Sequence, residues 1–215
     1  PSDPETLWVG TGEANIFRSS TAGCGVYKTT DGGETWRHCG LGATNTIARI
    51  VIDPNDSDTV YVAASGNEWT DNEERGVYKT TDGGKTWQRV WCVSDRTGAI
   101  DLVIHPQEPE VLYAASWQRI RRHWNDPRVE QGYDESGIWK STDAGVNWKK
   151  INVGLPAAQY RGRIGIDLCR SQPSTLYAMV DCYVKVDGKP VAAAGSYGPA
   201  RAQAIEGPAS SRPED

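Results

Sequence analysis

One twelve-residue phrase occurs three times in this chain. Gly25-Val-Tyr-Lys-Thr-Thr-Asp-Gly-Gly-Glu-Thr-Trp36 returns with a single change as Gly76 to Trp87, and more loosely as Gly137-Ile-Trp-Lys-Ser-Thr-Asp-Ala-Gly-Val-Asn-Trp148. All three contain Ser/Thr-x-Asp-x-Gly-x-x-Trp. A second phrase alternates with it: Ala48-Arg-Ile-Val-Ile-Asp-Pro leads to Thr59-Val-Tyr-Val-Ala, and Ile100-Asp-Leu-Val-Ile-His-Pro leads to Val111-Leu-Tyr-Ala-Ala. Gly162-Arg-Ile-Gly-Ile-Asp then leads to Thr175-Leu-Tyr-Ala-Met, and Thr6-Leu-Trp-Val-Gly stands alone at the start. The repeat measures 51 residues from Tyr27 to Tyr78 and 61 from Tyr78 to Trp139. Self-similarity at such a period means stacked units, each unable to bury its own hydrophobic faces.

Each unit reads as four short β-branched or aromatic strands between Asp-Pro and Asp-Gly-Gly turns, without the apolar spacing of a long helix. In the second unit, strand A is expected at 47–52, B at 59–64, C at 76–80 and D at 86–90. The fold class is therefore all-β: a β-propeller of about four four-stranded antiparallel blades. Residues 1–181 hold the blades. Residues 182–215 hold an uncertain last strand and a tail rich in Ala, Gly, Pro and Ser, which reads as flexible. The expected set is strands B–C–D, two full blades, then A–B, so the ring is partial or completed by a homodimer through exposed edge blades.

The net charge of −5 comes with interleaved signs, so no basic stripe offers itself to nucleic acid. No apolar run is long enough for a membrane helix, and no signal segment is visible. Five cysteines without CxxC spacing read as small buried side chains rather than a zinc knuckle or a disulfide framework.

The phrases Trp8-Val-Gly-Thr-Gly-Glu-Ala-Asn15, Arg75-Gly-Val-Tyr78, Leu112-Tyr-Ala-Ala-Ser-Trp-Gln-Arg119 and Gly162-Arg-Ile-Gly-Ile166, with the repeated Asp box, resemble the bacterial Asp-box (BNR-repeat) propellers. They resemble especially the sortilin-like group often described as glycosyl hydrolases. The resemblance covers about residues 6–181. It implies a propeller and favours a glycoside substrate, yet such propellers include both enzymes and non-catalytic receptors. Members of the group look much longer, and the chain begins with Pro1, so a truncated member is expected.

The Asp boxes lie at C–D turns, away from the usual ligand face, and recur too often to be an active site. The B–C and D–A loops point to the opposite, top face. Tyr61 to Gly76 is 15 residues and Tyr113 to Gly137 is 24, so one B–C loop carries most of the third unit's extra length. These loops hold Glu13, Asn15 and Arg18; Asn67, Glu68 and Arg75; and Trp117, Arg119, Arg121, Arg122, His123 and Trp124. Four of the nine tryptophans, Trp69, Trp91, Trp117 and Trp124, are expected beyond strand ends there, where they suit sugar rings or cap the blades. Aligning the A strands places Arg49, Asp101 and Arg163 at one equivalent position near the channel mouth. That arrangement suits either an anionic or polar ligand or a structural charge ladder.

Two hydrolytic schemes fit. A glycosidase needs two carboxylates about 5–9.5 Å apart, which Asp101 with Glu13 or Glu68 would supply. Substrate contacts would come from Arg49, Arg163, Trp69, Trp117, Arg119 and Trp124. Alternatively, Ca²⁺ held by Glu13, Asn15, Asn67, Glu68 and Asp101 would polarise a lactone or ester, with His105 or His123 shuttling the proton. His105 also reads as a turn residue in the place of Asp53, and Asp53 to Asp58 as an acidic turn. The rival from another class is a sortilin-like module that binds a peptide or glycan without turnover.

Overall fold

The computed structural model describes residues 3–14, 21–119 and 134–182. Among these residues, thirteen strands form four antiparallel sheets. The first sheet contains β1 (Leu7–Gly10), β2 (Val26–Thr29) and β3 (Arg37–His38). The second contains β4 (Ile47–Ile52), β5 (Val60–Ala64), β6 (Gly76–Thr80) and β7 (Gln88–Trp91). The third contains β8 (Thr97–Ile104), β9 (Leu112–Gln118), β10 (Gly137–Ser141) and β11 (Lys149–Lys150). The fourth contains β12 (Arg161–Leu168) and β13 (Leu176–Cys182).

Strand order follows chain order in every sheet, as a propeller blade requires. These are strands B–C–D, two complete blades and an A–B pair, and among the described residues the sheets do not close into a ring. In the second blade the expected A and C strands coincide with β4 and β6, while D runs to Trp91. Residues 183–215, which hold the rest of the expected tail, lie outside the described residues.

The packing explains why β5 is buried along its whole length. Side chains alternate across a strand. Val62 and Ala64 therefore face the first blade, in a core with Val26, Cys39 and Ile47. Tyr61 and Ala63 face the third blade, in a core with Val77, Trp91, Ala99, Leu102, Leu112 and Ala114. Strand β9 repeats the device: Tyr113 and Ala115 turn to the fourth blade and meet Ile138, Ile164, Ile166 and Leu168. The cores are thus seams between blades.

The Asp boxes brace one end of the blades. Asp31 accepts hydrogen bonds at Oδ1 from Thr29 Oγ1 (2.5 Å) and Thr35 N–H (2.9 Å), and at Oδ2 from Thr35 Oγ1 (2.5 Å). Asp82 does the same with Thr80 and Thr86, and Asp143 with Ser141 and Asn147. Each box is also tied to its own blade's A–B turn or its equivalent: Gly32, Gly83 and Ala144 donate N–H to the carbonyls of Glu5, Asp58 and Glu110. The C–D and A–B turns therefore share the bottom face. One box tryptophan reaches further. Trp87 Nε1 donates to Cys39 O of the preceding blade at 2.6 Å, and its ring meets Trp8 edge-on at 6.3 Å.

Two expectations need correction. Trp91 and Trp117 do not lie beyond strand ends: they close β7 and pair opposite Gly98 within β9, respectively. Trp91 is buried between blades two and three, 5.4 Å from Trp139 and 5.7 Å from Trp148. The cysteines are also not uniformly buried. All five are free thiols; Cys39 is in the core, while Cys24, Cys92 and Cys182 are exposed. The exposed three lie beside turns or on a strand edge, where no neighbouring blade covers them.

Candidate functional site

The top face is organised by arginines. Arg75, 2% exposed, donates from Nη1 to Ser65 O (3.0 Å) and from Nη2 to Asn67 O (2.7 Å) and Thr70 O (3.3 Å). It holds the B–C loop of blade two from inside, and burial pushes its guanidinium down to about 10. In that loop Asn67 Oδ1 accepts the Trp69 N–H at 2.9 Å, and Trp69 is left 46% exposed. Asn72 N–H reaches across to Asp95 O at 3.0 Å, and Asp71 pairs with Arg96 at 3.4 Å. The D–A connection is thereby fixed beside the loop.

Blades two and three meet at the top through a buried ion pair. Arg119 Nε lies 3.4 Å from Glu68 Oε2, with both side chains 7% exposed, and the Arg119 guanidinium sits 4.4 Å over the Trp117 ring. Trp117 packs on the seam between blades three and four. Glu135 was not foreseen. Its Oε2 accepts Ser94 Oγ at 2.5 Å and also the Thr97 hydroxyl, which pins the end of the long B–C loop onto the D–A connection. No repeated motif marks that residue, so the sequence carried no signal for it.

On the inner strands, Arg49 and Asp101 come together while Arg163 does not join them. Arg49 Nε lies 3.2 Å from Asp101 Oδ1, which also accepts the Leu102 N–H at 2.9 Å. Asp101 Oδ2 accepts the Ile166 N–H of the fourth blade at 2.9 Å. One carboxylate thus links three consecutive A strands. The Nε atoms of Arg161 and Arg163 are buried without a hydrogen-bond partner, as is Nη1 of Arg161.

Glu13 is exposed in the B–C loop of blade one, with its N–H on Thr21 O. Asn15, Arg18, Arg121, Arg122, His123 and Trp124 lie outside the described residues. His105 takes the turn position of Asp53: its Nδ1 accepts N–H bonds from Gln107 and Glu108, as Asp53 Oδ1 accepts that of Asn55. Asp53 to Asp58 is a turn whose carboxylates bond their own backbone and Thr59. Among the described residues, no three His, Cys, Asp or Glu side chains form a group that could hold a metal ion. Of the five oxygen donors considered for calcium, Glu68 and Asp101 are paired to arginines and Asn67 is bonded within its own loop.

Blades braced by Asp boxes, with one seam between each pair, define a β-propeller of the Asp-box class. A family model, Sortilin-Vps10 (sortilin, neurotensin receptor 3), matches residues 24–181, and the chain belongs to that family. It is similar to the xyloglucanase Xgh74A of Acetivibrio thermocellus, 29% identical over 114 residues, covering 49% of this chain and 12% of that protein. It is also similar to a xyloglucanase of Paenibacillus sp, 26% identical over 161 residues, covering 70% of this chain and 13% of that protein. Among solved structures, the GH74 xyloglucanase of Xanthomonas campestris matches with a TM-score of 0.58 at 16% identity, over 84% of this chain and 25% of that one. The Niastella koreensis GH74 enzyme gives 0.55 at 22%, over 82% and 23%. The chain therefore spans only a small part of these relatives, and the structural likeness is one of fold, a β-propeller.

Proposed function

We propose that the top face binds a polysaccharide and hydrolyses its glycosidic bonds. The observation that carries this reading is the buried Glu68–Arg119 pair beneath the B–C loops, with Trp117 under the guanidinium and Trp69 exposed beside it. Rigid carboxylate, planar cation and aromatic surface in one place suit a sugar chain. The xyloglucanases among its relatives support the same substrate class.

Hydrolysis adds one water across the bond, with one carboxyl protonating the leaving oxygen and one carboxylate acting as base or nucleophile. Glu68, paired to a cation, suits the second role. Glu13, exposed on the neighbouring blade's loop, is the candidate acid. Asp101 is assigned a positioning role, because both of its oxygens are occupied by protein donors.

Incubation with xyloglucan, read as new reducing ends, tests the scheme. Glu68→Gln is expected to lower turnover by about 100-fold or more, with the fold retained by circular dichroism. Unchanged turnover in both Glu68→Gln and Glu13→Gln would overturn these assignments. Glycan or peptide binding without turnover would favour the second reading, a sortilin-like binding module, which the family match itself supports.

A further inference from the structure

The inner strand of each complete blade carries a buried apolar residue just before its β-bulge: Ile47 in β4 and Ala99 in β8. Arg161 holds that position in β12, where the register irregularity also follows it but extends to Ile164. A guanidinium therefore stands where the sister blades place hydrocarbon.

Its surroundings do not satisfy it. Arg161 is 8% exposed, and its Nε and Nη1 are buried without a hydrogen-bond partner. Arg163, two residues on, has its Nε in the same condition. Among the described residues neither arginine joins an ion pair. Enclosed cationic donors without acceptors are strongly disfavoured, and isoleucine or alanine does the packing at this position in the other blades. The unfilled donors call for oxygen atoms, and two unpaired guanidinium groups call for a negative charge. The apolar seam beside them, with Ile100, Ile164 and Trp117, keeps the local dielectric low and strengthens such a contact.

We infer that the top of the seam between blades three and four is a subsite for the carboxylate of an acidic sugar, anchored by Arg161 and assisted by Arg163. This inference rests on the glycan reading above and adds to it a preference for glycans in which one sugar carries a uronic acid group.

Titration calorimetry with a β-1,4-linked oligoglucuronate and the cello-oligosaccharide of equal length separates the two ideas, because the ligands differ only at the carboxyl carbon. The acidic oligomer is expected to bind about tenfold or more tightly than the neutral one at low salt. Arg161→Gln should erase that advantage and leave neutral binding unchanged. Arg161→Ile, which installs the residue of blade two, should do the same while raising Tm, so loss of binding cannot be laid to misfolding. Equal affinities in the wild type, or an advantage that survives in Arg161→Gln, would overturn the inference. If the neutral oligomer alone binds, this subsite falls and the glycan reading stands; if neither binds, both fall. Binding of a peptide C-terminal carboxylate through Arg161, without the oligoglucuronate, also overturns it.

Discussion

Ala144 occupies, in the third Asp box, the position that glycine fills in the other two. Its φ of 57° lies beside 69° at Gly32 and 68° at Gly83, and its N–H makes the same bond to the A–B turn. A left-handed conformation costs a Cβ-bearing residue roughly 1–2 kcal/mol, partly offset because alanine has less freedom to lose on folding. Ala144→Gly is therefore expected to stabilise the protein by about 0.5–1 kcal/mol, read as a higher urea midpoint with unchanged slope. The box aspartates carry a pH dependence. The Thr29 hydroxyl first, then Thr35, holds Asp31 well below the usual carboxylate range; Thr86 does this for Asp82, and Asn147 for Asp143. Free aspartate titrates near pH 4, so the folded state binds fewer protons than the unfolded state below that pH. Stability from these boxes is complete above about pH 4 and is lost as pH falls toward the depressed folded values. Urea midpoints from pH 7 to pH 2 should show this fall, and Asp82→Asn should make it shallower.

Strands were far more legible than contacts. Turn chemistry and alternation placed β4 and β6 to the residue, because Asp-Pro, Asp-Gly-Gly and β-branched runs act locally. The equivalence of Arg49, Asp101 and Arg163 was readable too, but not its outcome. Whether a carboxylate is free or occupied depends on how far neighbouring inner strands slide past each other, which no spacing within one strand reveals. Asp101 reaches across the seam to the Ile166 N–H at 2.9 Å, a contact set by the placement of the fourth blade rather than by any spacing within β8. The unpartnered state of Arg161 was equally hidden, since it depends on what the fourth blade does not offer. At this scale the prediction concerns Asp101→Asn. It weakens the Arg49 contact and turns an amide toward either that cation or the Ile166 N–H. The Arg49 side chain is 47% exposed, so the ion pair itself adds little. Most of the expected loss of about 1–3 kcal/mol comes from the one backbone donor, of Leu102 or of Ile166, left unpaired. Thermal unfolding checks it, and xyloglucan turnover per folded molecule should fall less than in Glu68→Gln.

Three seams, each filled from both neighbouring blades, make the molecule close to one-dimensional: a blade is stabilised by the pair beside it. Damage to the middle seam should consequently be felt at both ends. Trp91 is its largest buried side chain, packed against Trp139 and Trp148, and Trp91→Ala should cost about 3–5 kcal/mol and lower the main unfolding transition. The outer faces of the described blades have the opposite character. Leu7 and Val9 of β1 are 43% and 41% exposed, and Tyr177 and Met179 of β13 are 64% and 76% exposed. Among the described residues, strand β13 also has no further strand beyond it in its sheet. An open edge with apolar side chains attracts other chains through both backbone bonds and area burial, whereas a charge there opposes it. Light scattering of this chain should therefore rise with concentration. Met179→Lys should reduce that rise without lowering Tm, since the residue fills no seam, while Trp91→Ala should lower Tm. A Met179→Lys protein that scatters as the parent does would show that the β13 face is not the adhesive one and shift attention to Leu7 and Val9.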